Sequence, residues 1–269
     1  MLLSCAEQML GDRSLEDKIG LVREAGFDGI DVRMVTLTEA ANRRTLSESG
    51  LPVGAVYSQL RDPCLLSRSS AERAVACDRV VEYAEAAAAV GASNLIVVPV
   101  FGGPRLPAFD PVVPLVELET AVLLTGLAEI AERVADLPVT VTIEPLNQAE
   151  THFLTDPTRG AALCDAIGSP RIATMVDTYH CEREAQDIPS KIAAAGDQLA
   201  LLHLSDTERR LPGTGRIDFG AVLAALHERG YRGWMGLECR PADGVDELRR
   251  SVNHLRALLP AAAADRRTA

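Results

Sequence analysis

Four side chains that bind divalent metal stand at the ends of four apolar runs in the second half of the chain: Glu144, Asp177, His203 and Glu238. The runs read VTVTIE, IATMVD, LALLH and WMGLE, each about one strand-plus-helix unit from the next. Three carboxylates and one imidazole suit Mn²⁺, Mg²⁺ or a similar ion better than one that seeks thiolates. Either Glu144 or Asp177 alone could simply end a strand and cap the following helix. Four such ends in succession point to a site.

The elements that must hold these residues alternate throughout. Strand-like runs fall at Leu2–Cys5, Gly29–Val32, Pro52–Tyr57, Asn94–Pro99, Val139–Glu144, Arg171–Asp177, Leu199–His203 and Gly233–Glu238. Helical spacing predicts helices over Leu15–Ala25, Ala71–Val90, Glu117–Val134, Thr158–Ala166 and Phe219–Arg229. The phrases EAGFDGI, AVGASNLIVV and ERGYRGWMG each place a glycine between a helix end and a new strand, where a left-handed turn ends the helix. Eight strands alternating with helices predict an α/β fold, a (β/α)8 TIM barrel, over residues 1–260 as a single domain. The polar stretch 261–269 is expected to be a frayed tail.

Side chains alternate faces along a strand. Thr140, Thr142 and Glu144 therefore share one face of their run, and Trp234, Gly236 and Glu238 share one face of theirs. Those faces are expected to point into the barrel, with the ligands at the carboxyl ends where enzymes of this fold carry their chemistry.

The bulk properties narrow the function. The chain of 269 residues carries a net charge of −11 and only two lysines, Lys18 and Lys191, which argues against a nucleic-acid partner. No apolar run is long enough to span a bilayer, and the start MLLSCAEQML lacks the basic leader and apolar stretch of a signal peptide. Six scattered cysteines without a CxxC pair read as reduced, buried thiols in a cytoplasmic protein.

The segments IEPLNQAE (143–150), DTYH (177–180), HLSDTERRLPGTGRIDF (203–219) and GLE (236–238) resemble the sugar isomerase/epimerase group with the xylose-isomerase-like barrel, which includes D-tagatose 3-epimerase and hydroxypyruvate isomerase. The alternating pattern fits nearly the whole length, while these motifs occupy the second half only. The resemblance implies that Glu144, Asp177, His203 and Glu238 are metal ligands for one divalent ion, Mn²⁺ first, with Mg²⁺, Co²⁺ or Zn²⁺ as alternatives. It implies that Glu144 and Glu238 double as catalytic carboxylates, and that His180, Arg209 and Glu150 contact the substrate. The expected activity is epimerisation or isomerisation of a ketose or related carbonyl sugar. One glutamate would remove a proton beside the carbonyl, a metal-bound enediolate would form, and a second glutamate would return a proton.

Other readings were weighed on the residues. Arg210 neighbours Arg209 and either could be solvated. His152 reads as structural support for the Glu150 loop, His227 and His254 as helix residues, and Trp234 as core filler. A proline-rich stretch, FGGPRLPAFDPVVP (101–114), and the loop after His203 read as candidate lids. A three-zinc DNA-repair endonuclease on a related barrel would need histidines in the first half, and the first histidine here is His152. A dehydratase or a lyase that cleaves C-glycosides would use the same four ligands, and a non-catalytic sugar-binding subunit would not need both glutamates. No glycine-rich phosphate cradle is present, which favours a free sugar. The partner is thus expected to be a small-molecule sugar rather than nucleic acid or membrane, with a homo-oligomer left open.

Overall fold

The computed structural model describes residues 1–109 and 111–259; the tail expected at 261–269 lies outside the described residues. Eight parallel strands close into a barrel in sequence order: β1 (Leu2–Ala6), β2 (Gly29–Arg33), β3 (Val53–Tyr57), β4 (Asn94–Val97), β5 (Thr140–Ile143), β6 (Ile172–Asp177), β7 (Leu199–Leu204) and β8 (Trp234–Leu237). Closure is made by β1 on β8, with Leu2 opposite Trp234 and Cys5 opposite Leu237. The (β/α)8 barrel expected from the alternation is the fold.

The outer helices are α1 (Leu15–Ala25), α2 (Met34–Leu37), α3 (Ala40–Ser49), α4 (Ser70–Ala89), α5 (Leu115–Arg133), α6 (Pro157–Ile167), α7 (Thr178–Arg183), α8 (Ile188–Ala195), α9 (Phe219–Glu228) and α10 (Val245–Leu258). Local chemistry sets their ends. Ser14 accepts from the Asp17 N–H to start α1, and Ser69 with Glu72 forms a reciprocal capping box at α4. Gly26, Gly91 and Gly230 take φ of 89°, 71° and 66°, the left-handed turns that send each helix into the next strand.

Leu, Ile and Val side chains between the strands and the helices make the main core, including Leu3, Ile30, Leu95, Val141, Ile143, Val176 and Leu202. The inside of the barrel is more polar, as the strand alternation requires. Thr142 Oγ1 donates to Asn94 Oδ1 (3.0 Å), and Ser4 Oγ donates to Asp31 Oδ2 (2.7 Å). Trp234 is buried there, its indole N–H donating to Ser93 Oγ (3.1 Å). This polar filling supports the carboxyl-end layer in which the site residues sit.

Candidate active site

Each residue singled out from the sequence lies at the carboxyl end of a strand or just past it. Asp177 ends β6 and His203 sits in β7; Glu144 and Glu238 follow β5 and β8 by one residue. One ligand atom from each of the four lies within 4.8 Å of the others. His203 Nδ1 faces Glu144 Oε1 and Asp177 Oδ2 at 3.7 Å and Glu238 Oε2 at 3.5 Å. Those separations are too long for good hydrogen bonds.

Two atoms of this cluster, Asp177 Oδ2 and His203 Nδ1, are buried without a hydrogen-bond partner among the described residues. Buried polar atoms are nearly always satisfied, and an ion is one of the partners that can complete such a set. A divalent cation held by three carboxylate oxygens and an imidazole nitrogen fits both orphans at once. Asp177 serves as a helix cap and still faces the cluster. Its Oδ1 accepts from the Tyr179 N–H (2.7 Å) to start α7, and its Oδ2 turns to the cluster.

Burial works to raise the Asp177 and Glu238 carboxyls, but the nearby His and Arg charges outweigh it and hold both below the ordinary range. Burial likewise opposes charging of His203, yet Asp177, Glu144 and Glu238 push its imidazole well above the usual value.

Arg209 crosses the mouth of the cluster. Its Nη1 donates to Glu238 Oε2 (2.6 Å), its Nη2 lies 3.2 Å from His180 Nε2, and its guanidinium stacks 4.3 Å over the Tyr179 ring. Arg210 instead donates to the Thr207 carbonyl and stays outside the cavity, so the guanidinium in the site is Arg209. His180 lies on α7, the short helix that Asp177 caps directly after β6. The Asn147 amide donates to His180 Nδ1 (2.8 Å) and to Glu150 Oε1 (2.9 Å), so His180 Nε2 turns toward Asp177 and Glu144 at 3.7 and 3.9 Å. Glu150 is half-buried and lines the same cavity. His152 spans Glu119 (2.7 Å) and the Gly102 carbonyl (3.0 Å), tying the segment after β5 to the one after β4.

The loop carrying Arg209 is organised by Asp206, a residue with no counterpart among the sequence expectations. Its buried carboxylate accepts from the N–H groups of Thr207, Gly213, Gly215 and Ile217 at 2.7–3.1 Å. A β-carbon on Gly215 would lie 2.2 Å from Asp206 Oδ1, so only glycine permits that approach.

A cavity of about 250 Å³ opens over the cluster. Glu144, Glu150, His180, Arg209 and Glu238 line it from the second half of the chain, and Gln8, Arg33, Tyr57, Gln59, Arg61 and Phe101 from the first. Gln8 Nε2 donates to Glu238 Oε1 (3.2 Å), and the Tyr57 hydroxyl lies 3.3 Å from His203 Nε2. The first half thus supplies much of the wall. Of the stretch 101–114, only Phe101 reaches the cavity among the described residues, and Asp110 lies outside them.

Comparison with known proteins agrees with this geometry. A family model described as a xylose isomerase-like TIM barrel matches residues 19–258. An L-ribulose 3-epimerase of Methylomonas sp. (strain DH-1) is 30% identical over 123 residues, 46% of this chain and 43% of that protein. The chain thus aligns with less than half the length of that relative. A 3-dehydro-D-guloside 4-epimerase of Escherichia coli (strain K12) is 24% identical over 262 residues, covering 95% of this chain and 99% of that one. Among solved structures, the apo 3-keto-D-glucoside 4-epimerase from E. coli superposes with a TM-score of 0.83 at 22% identity, over 96% of this chain and 99% of that one. With its family model spanning nearly the whole barrel, the chain belongs to the xylose isomerase-like TIM barrel family.

Proposed function

We propose that this chain is a metal-dependent epimerase or isomerase of a ketose or related carbonyl sugar, moving a proton at the carbon beside the carbonyl. The observation that carries the reading is the convergence of Glu144, Asp177, His203 and Glu238 within 4.8 Å at one wall of a cavity of about 250 Å³. These four would hold a divalent ion, Mn²⁺ by preference, which when bound acts as a Lewis acid toward the substrate's adjacent oxygens.

The chain's own residues divide the remaining work. Glu144 accepts no side-chain hydrogen bond among the described residues, which leaves carboxylate lone pairs free to take a proton from carbon. Glu238 is gripped by Gln8 on one oxygen and Arg209 on the other, so it is held in one orientation to exchange a proton from its own side. The Arg209 guanidinium supplies positive charge and donors for oxygens that gain negative charge during the transfer, and His180 beside it positions the same oxygens. Ile96, Val98, Leu146 and Phe101 give the cavity an apolar side that limits water around the reacting carbon.

Several named relatives are sugar epimerases or isomerases, which supports the reaction class. A dehydratase or a C-glycoside-cleaving lyase would begin with the same proton removal, but no separate feature of the cavity favours either. The test is metal analysis of the purified protein, followed by deuterium uptake from D₂O across a panel of ketoses. One equivalent of divalent metal and exchange at a carbon next to the carbonyl are expected. A metal-loaded protein that exchanges no substrate proton would overturn the reading in favour of a binding role.

A further inference from the structure

Two arginines on the first-half wall of the cavity take no part in this proton transfer. Arg33 ends β2 and Arg61 follows β3 by four residues, and both line the cavity. Their positive charges are not balanced locally. Glu7, 1% exposed, accepts from the Arg33 backbone N–H (2.7 Å) and from Arg33 Nε (3.2 Å), and it also pairs with the buried Lys18 (3.3 Å). One carboxylate therefore serves two cations. No other acid lies within ion-pair distance of Arg33 or Lys18 among the described residues, so the triad keeps a net charge of about +1.

Arg33 uses only its Nε on Glu7, and neither of its Nη groups has a partner among the described residues. Arg61 likewise has no ion pair or hydrogen bond there; its guanidinium rests over the Phe101 ring at 4.0 Å. Gln59, on the same wall between Tyr57 and Arg61, is held at φ 52°, a conformation that costs a non-glycine residue and recurs at ligand-holding turns. In a chain of net charge −11, Arg61, which has no ion pair among the described residues, and Arg33, which shares the single carboxylate of Glu7 with Lys18, set up a local field of the opposite sign. The guanidinium fork matches carboxylate and phosphate oxygens.

We propose that the substrate carries an anionic group, a carboxylate or a phosphate, at the end remote from its reacting carbons, and that Arg33 and Arg61 hold it. The inference rests on the reading of Glu144 and Glu238 as the proton-transfer pair and adds the class of sugar they receive. Glu144, Glu150 and Glu238 line the cavity as well, and the Arg209 guanidinium beside them is already engaged by Glu238, so the lining cations with open donors are Arg33 and Arg61. That polarity fixes which end of the molecule meets the cluster, and hence which carbon is within reach.

The experiment is calorimetric binding of three ligands that lack a carbonyl: xylitol, xylonate and xylitol 5-phosphate. It is run with metal-free and Mn²⁺-loaded protein, on the parent and on Arg33→Gln, Arg61→Gln and the double variant, with thermal melts to verify folding. At least one anion is expected to bind about tenfold or more tightly than xylitol. The double variant should bind all three alike, with xylitol unchanged, and Arg61→Gln, at an exposed position, should lose part of the preference without disturbing the Glu7 triad. Whether xylonate or the phosphate gains the affinity identifies the anion. Equal binding of all three, binding of none, or a preference that survives in the double variant would overturn the proposal. Because these ligands cannot turn over, failure of deuterium exchange would remove the proposed reaction and leave this result intact, and the reverse also holds.

Discussion

Arg209 meets Glu238 at 2.6 Å while its own backbone, and that of Glu208 before it, sits in the left-handed region at φ 56° and 61°. Two consecutive non-glycine residues in that region carry a conformational cost, which the Asp206 hub and the stack on Tyr179 offset. The strained turn delivers a planar fork to one edge of the cluster. Arg209→Gln is expected to lower kcat for deuterium exchange by about 100-fold, with little change in melting temperature. Arg209→Lys should recover little, because an ammonium neither stacks flat on Tyr179 nor reproduces the fork. Steady-state exchange kinetics on the two variants decide the point, and a fully active lysine variant would reduce Arg209 to a point charge.

The two glutamates are expected to be separately indispensable. Glu144→Gln and Glu238→Gln should each reduce exchange by at least about 1,000-fold while circular dichroism stays native. Metal content, measured in parallel, separates loss of a proton carrier from loss of a ligand. An active Glu238→Gln protein would take that residue out of the chemistry.

Under the proposed function, Tyr57 is expected to affect ion binding rather than proton transfer. Its hydroxyl contacts the ring nitrogen of His203 opposite the one that faces the cluster, at 3.3 Å. Such outer partners orient a ligating imidazole, and their loss typically weakens metal binding by about 10–100-fold. Tyr57→Phe should show that weakening in a Mn²⁺ titration and regain activity at high Mn²⁺. Unaltered affinity would leave Tyr57 as a cavity wall only.

Asp206 should govern the loop. Removing a buried acceptor shared by four backbone N–H groups leaves them unpaired, so Asp206→Ala is expected to destabilise by about 3 kcal/mol or more. The same variant should become susceptible to proteolysis between residues 206 and 217. A variant as stable as the parent, measured by urea unfolding, would show that the loop is held by its other contacts.

Asp31 provides a pH-dependent test inside the barrel. Burial pushes its carboxyl from the ordinary 3.8 up to about 6, against hydrogen bonds from Ser4 and the Ala55 N–H that favour the charged form. A raised value in the folded state means that this group's contribution to stability is complete below about pH 4 and is lost as pH rises through about 6. Asp31→Asn can keep the bond from the Ala55 N–H on its carbonyl oxygen and donate its amide N–H to Ser4 Oγ in place of the bond Asp31 accepts, without the charge. It should therefore be more stable than the parent by on the order of 2 kcal/mol at pH 7–8 and no more stable near pH 4. Urea unfolding of the metal-free proteins across that range measures the difference, and a gap independent of pH would contradict it.

The strands were legible from the sequence because short apolar runs, set off by glycine, recur with helices between them. All eight fall within two residues of their expected ends. The four clustered side chains were legible for a related reason: a carboxylate or imidazole that closes an apolar run is conspicuous. Gln8, Arg33, Tyr57 and Arg61 carried no such contrast. Their types are ordinary at a surface, and the available signal was position alone, at or just past the carboxyl ends of β1, β2 and β3. Helices α2 and α7 are too short for periodicity to register. Asp206 was hidden because its acceptors' partners are backbone groups of residues up to eleven positions ahead, which no side-chain pattern records. Arg33 was hidden behind Glu7 and Lys18, a charge balance that exists only once β1, α1 and β2 are packed.

Gln8 leans on Glu238 across the seam where β1 meets β8, 230 positions away. The latest of the four clustered side chains in chain order is thus steadied by a residue that precedes them all. A growing polypeptide holds an unfinished site until its eighth strand slots into the gap, so turnover would report that the ring has shut.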